Sequence, residues 1–182
     1  MQHINKKKIK CNGGNNMYPY NLQQNKAEDK EIKIMADKKN DEMNNKADEK
    51  ILDMLIIALK NENEDKNYYK SLMERVSNEE DAKIINQISL DEKKHYNYLM
   101  QIYKRLTGQT LSLEDEQAKL QDNLVDNFAK SIFDEIEAVE FYRRLMFIFL
   151  DLQIRDMIYE IITDEQAHAT KMNYLFSKYN DK

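Results

Sequence analysis

The sequence predicts an all-α fold, an antiparallel four-helix bundle with one long crossover between its second and third helices. Three observations carry that prediction. The 182 residues include only three Gly and one Pro, and 34% are charged; a sandwich or barrel, which needs turn chemistry at every hairpin, does not fit that composition. From Lys50 onward apolar residues recur at alternating steps of three and four, the spacing that keeps them on one side of an α-helix. Finally, two of the three connections between the helical runs are almost nil and the third is long.

The first stripe is Leu55, Leu59, Glu62, Lys66, Tyr69, Met73, Val76. The second is Ile85, Ile88, Glu92, His95, Leu99, Ile102, Leu106; Ser77 with Glu80 reads as its capping box, and Gly108 as its stop. After the polar stretch GQTLSLEDEQ comes a third stripe, Val125, Phe128, Ile132, Glu135, Val139, Tyr142, Met146, Phe149. Asp151 suits the N-cap of the fourth, Ile154, Ile158, Ile161, Glu165, His168, Met172, Leu175. Each helix is expected to span about 40 Å at 1.5 Å per residue. The near-absent links make helices 1 and 2, and helices 3 and 4, antiparallel hairpins, while the link of at least ten residues is long enough to run along the bundle.

Residues 48–180 form the bundle in this reading. Residues 1–47 contain no Phe or Val, carry the Gly13-Gly14 pair and Pro19, and hold ten Lys against six acids. Such a segment buries too little apolar area to offset its ordering entropy, so an unfolded arm is expected there. A transient helix over 26–47, or an arm docked on a partner, is the alternative. With the net charge at -5, the acidic excess falls in the bundle, and neither nucleic acid nor membrane is expected as a partner. One Cys, Cys11, permits neither an internal disulfide nor a thiolate-held zinc or iron-sulfur site. The start lacks the apolar segment of an export signal, and a cytoplasmic location is expected.

Each stripe is interrupted by acid at its centre, and two of them by His as well. Unpaired carboxylates in an apolar interior cost many kcal/mol, and four converging ones repel one another besides, so a cation must sit among them. The two hairpins also repeat. Glu62 corresponds to Glu135, Tyr69 to Tyr142, and Asp91, Glu92 and His95 to Asp164, Glu165 and His168. Each hairpin supplies one Glu from its first helix and, from its second, a Glu with a His three residues on, which lie on one face. Four carboxylates balance two divalent ions. Carboxylate and imidazole suit Fe, Mn and, less diagnostically, Zn. The candidate metal ligands are therefore Glu62, Glu92, His95, Glu135, Glu165 and His168, with no catalytic group apart from them. Lys66 lies on the first stripe and is a candidate partner for one carboxylate. Glu64 and Glu137 repeat too, but fall off the ligand face, and the ten Met read as core filler.

On the segments ENEDKNYY, DEKKH, EIEAVEFY and DEQAH, residues 50–180 resemble the ferritin-like di-iron carboxylate superfamily, nearest to rubrerythrin-like proteins. The resemblance implies that Glu62 with His95 holds one iron, Glu135 with His168 the other, and that Glu92 and Glu165 bridge. It further implies that Asp91 and Asp164 accept from the far nitrogens of His168 and His95, and that Tyr69 and Tyr142 hydrogen-bond the bridging carboxylates. The implied activity is reduction of hydrogen peroxide or dioxygen with electrons from an external donor protein, in a homodimer. The alternatives are ferroxidase or iron handling, and an interaction bundle stapled by metal. Two departures stand out: Ala138 occupies the place of a further Glu common in rubrerythrins, and no rubredoxin-like domain is present. Lys93 replaces the Met that carries haem in bacterioferritins, so no haem is expected.

Overall fold

The computed structural model describes residues 28–114 and 118–180, with side chains from residue 49 onward. Among these, four helices follow one another and no strand occurs: α1 (Glu28–Met73), α2 (Glu79–Thr107), α3 (Leu124–Ile148) and α4 (Leu152–Asn180). The arm expected over 1–47 lies outside the described residues as far as residue 27; from Glu28 the backbone is helical and continues into α1. The bundle with its site belongs to the unit Met43–Lys182.

Side-chain chemistry sets the helix ends. The cap expected at Ser77 sits one residue later: Asn78 is the N-cap of α2, its Oδ1 accepting from the Asp81 N–H at 3.0 Å. Glu80 does not reach back but pairs with Lys83 at 2.8 Å. The shift puts Asp81 in the first turn, where it is buried and bound by Lys178 Nζ at 2.7 Å and the Tyr179 hydroxyl at 2.9 Å from the end of α4. Gly108 ends α2 in the left-handed conformation at φ 73°, its N–H donating to the Lys104 carbonyl at 2.8 Å. Asp151 caps α4 as expected, accepting from the N–H groups of Gln153 and Ile154 at 3.0 and 3.1 Å.

The crossover runs the length of the bundle. At its start Leu111 and Leu113 pack on the apolar layer of Leu55, Leu59, Leu99, Ile102, Leu145 and Ile158. At its end Leu120 and Leu124 pack on the opposite layer, with Leu72, Ile85, Ile88, Phe128, Met172 and Leu175. Polar side chains pin it along the way. Asn63 Nδ2 donates to the Glu114 carbonyl at 3.0 Å, and Arg75 donates to the carbonyls of Gln121 and Asp122. Asn127, fully buried, accepts from the Gln121 N–H at 2.8 Å and donates back to its carbonyl at 2.9 Å. A tight hairpin would make α2 and α3 antiparallel, whereas a link that returns along the bundle leaves them parallel; α1 and α3 meet through Tyr69 with Glu135 and Tyr142 with Glu62. Each buried aliphatic side chain in these layers contributes about 1.5–3 kcal/mol. Between the two layers, at mid-height on all four helices, lies a stratum of buried acid and imidazole.

Candidate metal centre

The six side chains singled out by the repeat converge in that stratum. Glu62, Glu92, His95, Glu135, Glu165 and His168 are each 5% exposed or less. They form two overlapping groups, Glu62, Glu92, His95, Glu165 and Glu92, Glu135, Glu165, His168, in which one ligand atom per residue lies within 4.8 Å of the others. Glu92 and Glu165 are common to both. Around His95 Nδ1, carboxylate oxygens stand at 3.0 Å (Glu92), 3.1 Å (Glu165) and 3.3 Å (Glu62). Around His168 Nδ1 they stand at 3.0 Å (Glu92), 3.0 Å (Glu165) and 3.9 Å (Glu135). The two rings lie 5.8 Å apart.

The outer nitrogens explain why these rings point inward. His95 Nε2 lies 3.2 Å from Asp164 Oδ2, and His168 Nε2 lies 3.3 Å from Asp91 Oδ2. Each Asp comes from the other hairpin. With Nε2–H donated to aspartate, the neutral imidazole turns the lone pair of Nδ1 toward three carboxylates, an acceptor among acceptors. A single proton on Nδ1 satisfies only one of them. Glu62 Oε2 and Glu92 Oε1 accordingly remain buried without a hydrogen bond. A metal ion removes the conflict. Two ligands bonded at about 2.1 Å lie about 3 Å apart at a right angle and about 4.2 Å apart in line, matching the spread observed. The donor set thus fits a pair of ions, shared through Glu92 and Glu165.

Proton affinities show the same strain. Burial, and then the charge of Glu92, push the Glu62 carboxyl up to about 7; burial with Glu165 and Glu92 drives Glu135 well above the carboxylate range. Burial also presses Glu165 upward, but hydrogen bonds from His168 and His95 hold it below its ordinary value. For the imidazoles burial works against charge, yet the surrounding carboxylates prevail. Asp91, Glu165 and Glu92 raise His168 to about 11, and Glu165, Glu62 and Glu92 raise His95 well above its usual value. In the absence of metal, the imidazolium rings are the cluster's cations.

The tyrosines correct one implication of the resemblance. Tyr69 donates to Glu135 Oε1 and Tyr142 to Glu62 Oε1, not to the shared Glu92 and Glu165. Tyr69 on α1 faces α3, and Tyr142 on α3 faces α1, so each hydroxyl meets the lone Glu of the opposite first helix. The shared carboxylates, on α2 and α4, are turned toward the rings. Tyr69 and Tyr142 are 2% exposed, and burial raises both phenols well above their ordinary value, keeping them proton donors.

Other features carry less signal in the sequence. Lys94 bridges Asp164 at 2.7 Å, Glu160 at 3.0 Å and Asp91 at 3.9 Å. A Lys beside a ligand His in an acid-rich helix reads as solvated surface, and only the approach of α4 gives it partners. Lys66 donates to Asn63 Oδ1 at 2.9 Å, and Glu64 and Glu137 are exposed. A cavity of about 360 Å³ opens between α1 and α3 onto the cluster, walled by Asp65, Ser131, Ala138 and Phe141 as well as Glu62, Glu92, Glu135 and Glu165. Among the described residues, no helix is long and apolar enough to cross a membrane.

Residues 53–122 match the Rubrerythrin family model. The rubrerythrin match spans the first hairpin and the crossover, hence Glu62, Glu92 and His95; the second hairpin supplies the counterparts through the internal repeat. The structure is also similar to that of a hypothetical protein from Pyrococcus furiosus, with a TM-score of 0.62 and 22% identity, covering 70% of this chain and 88% of that one. At that identity the likeness is one of fold, a ferritin-like bundle. Among curated proteins none matches this chain.

Proposed function

We propose that this protein is a non-haem di-iron redox protein of rubrerythrin type that reduces hydrogen peroxide, or dioxygen, with electrons from an external donor protein. The observation that carries the reading is the pair of overlapping Glu–His groups sharing two carboxylates in the buried centre of the bundle. A pair of Fe(II) ions held by these six side chains would supply two electrons at one place and polarise an O–O bond. The overall reaction proposed converts hydrogen peroxide, with two electrons from the donor protein and two protons, into two waters.

The chain's own part is geometric. Glu62 with His95, and Glu135 with His168, would each hold one ion, and Glu92 and Glu165, common to both groups, would be shared. Asp164 and Asp91 hold each ring with Nδ1 inward. Tyr142 and Tyr69 fix Glu62 and Glu135 through Oε1 of each. The apolar layers above and below exclude water, and the cavity between α1 and α3 is wide enough for a small oxidant.

Anaerobic titration with Fe(II) is expected to saturate at two ions per chain, with rapid oxidation on addition of peroxide. A single ion per chain, or a loaded protein that peroxide leaves unchanged, would refute the reading. Iron released after oxidation, from a particle large enough to store it, would point to iron handling instead.

A further inference from the structure

The internal repeat is nearly two-fold around the cluster, but the cavity wall departs from it at several places, where Asn61 answers to Asp134, Tyr68 to Phe141 and Asp65 to Ala138. One turn along α1 from Glu62 stands Asp65; the corresponding place on α3, one turn from Glu135, is Ala138. Asp65 is half-buried and lines the cavity. Among the described residues no hydrogen bond or ion pair engages its carboxylate. The nearby rim cation, Lys130, pairs with Asp134 and sits over the Tyr68 ring at 5.5 Å, and feels Asp65 only as a lesser charge. A carboxylate so placed, beside four others, is costly unless it has work with a cation.

Two further observations locate that work. The unpartnered oxygens, Glu62 Oε2 and Glu92 Oε1, belong to side chains 3% and 2% exposed that line the same cavity. Glu62 belongs to the His95 group alone, its Oε2 standing 3.3 Å from His95 Nδ1, while Glu92 is shared by both groups and turns its Oε1 toward His168 Nδ1 at 3.0 Å. The charges pressing Asp65 upward, after burial itself, are those of Glu92, Glu62 and Glu165 in the cluster and Asp134 on the rim.

We propose that Asp65 is a further carboxylate for the metal position held by Glu62 and His95, making the two positions unequal, with that one binding a divalent cation more tightly. The inference rests on the dinuclear reading above. No hydrogen bond anchors Asp65, so turning it onto an ion breaks nothing, whereas Asp134, the acid that lines the cavity from α3, is exposed and paired with Lys130.

Mn(II) is the probe, with free ion followed by electron paramagnetic resonance during titration of metal-free protein. Two single-position backgrounds separate the halves. In His168→Ala, which keeps the Glu62–His95 position, adding Asp65→Ala or Asp65→Asn is expected to weaken Mn(II) binding at least tenfold. In His95→Ala the same additions are expected to change it less than twofold. Metal-free Asp65→Ala should unfold no earlier than the parent, since a buried repulsion is removed, which separates a ligand role from a folding role. Equal affinity with and without Asp65 in the His168→Ala background would overturn the inference while the dinuclear reading stands. Fewer than two Mn(II) ions on the unsubstituted chain would overturn both.

Discussion

The cluster predicts an inverted pH response for the metal-free protein. Glu62 has a folded-state value of about 7 against an ordinary 4.5. A raised carboxyl favours folding while protonated, so its contribution is complete below about 4.5 and is lost as pH rises through about 7. The difference amounts to about 3 kcal/mol at 1.36 kcal/mol per unit. His168, raised from 6.5 to about 11, acts in the same direction over a higher window, fully stabilising below 6.5 and fading toward 11. Asp91, lowered to about 2, contributes fully above 3.8 and does not change over this range. Metal-free protein in chelator is therefore expected to melt about 6–12 °C lower at pH 7.5 than at pH 5, taking about 2–4 °C per kcal/mol. Glu62→Gln should flatten much of that slope. Metal reverses it, because the ligands bind only when deprotonated, so the rise in Tm on adding Mn(II) should grow with pH. Differential scanning calorimetry from pH 5 to 8 decides the matter. A metal-free Tm that is flat or rises, with Glu62→Gln indistinguishable from the parent, would refute the account of the buried acids.

Two other expectations follow from the hydrogen bonds around the cluster. Replacing Asp164 or Asp91 by Ala frees the ring it holds and should weaken metal binding about 10- to 100-fold, read by competition with a chelator; unchanged affinity would mean the rings are held by packing alone. Tyr142→Phe leaves Glu62 Oε1 buried without its donor and should cost the metal-free protein about 1–3 kcal/mol in urea unfolding. A smaller cost would show that Oε1 finds water through the cavity.

The ligand set was legible because its chemistry contradicts its setting. Glu62, Glu92, Glu135 and Glu165 stand where the helical period demands apolar side chains, and a repeat places the same acid in both hairpins. Helix periodicity depends only on sequence-local geometry, so the stripe, the stop at Gly108 and the cap at Asp151 could all be read in one dimension. The start of α2 could not, since Ser77 and Asn78 offer equivalent caps. The choice falls to Asp81, whose carboxylate meets Lys178 and Tyr179 only once α4 is in place.

The amino-acid order alone determined four helices, two hairpins, a long crossover and six inward-facing groups that call for cations, because each follows from spacing along a single rod or from the length of a link. The tertiary structure decided which rods face one another. That placed Tyr69 on Glu135 and Tyr142 on Glu62, gave Lys94 its carboxylates across α4, and set Asp65 on the wall of a cavity where its period alone would leave it in water. Contacts between helices depend on how the rods are rotated and how high they sit against each other. Those quantities are fixed by packing of the two apolar layers as a whole and are carried by no single stretch of chain.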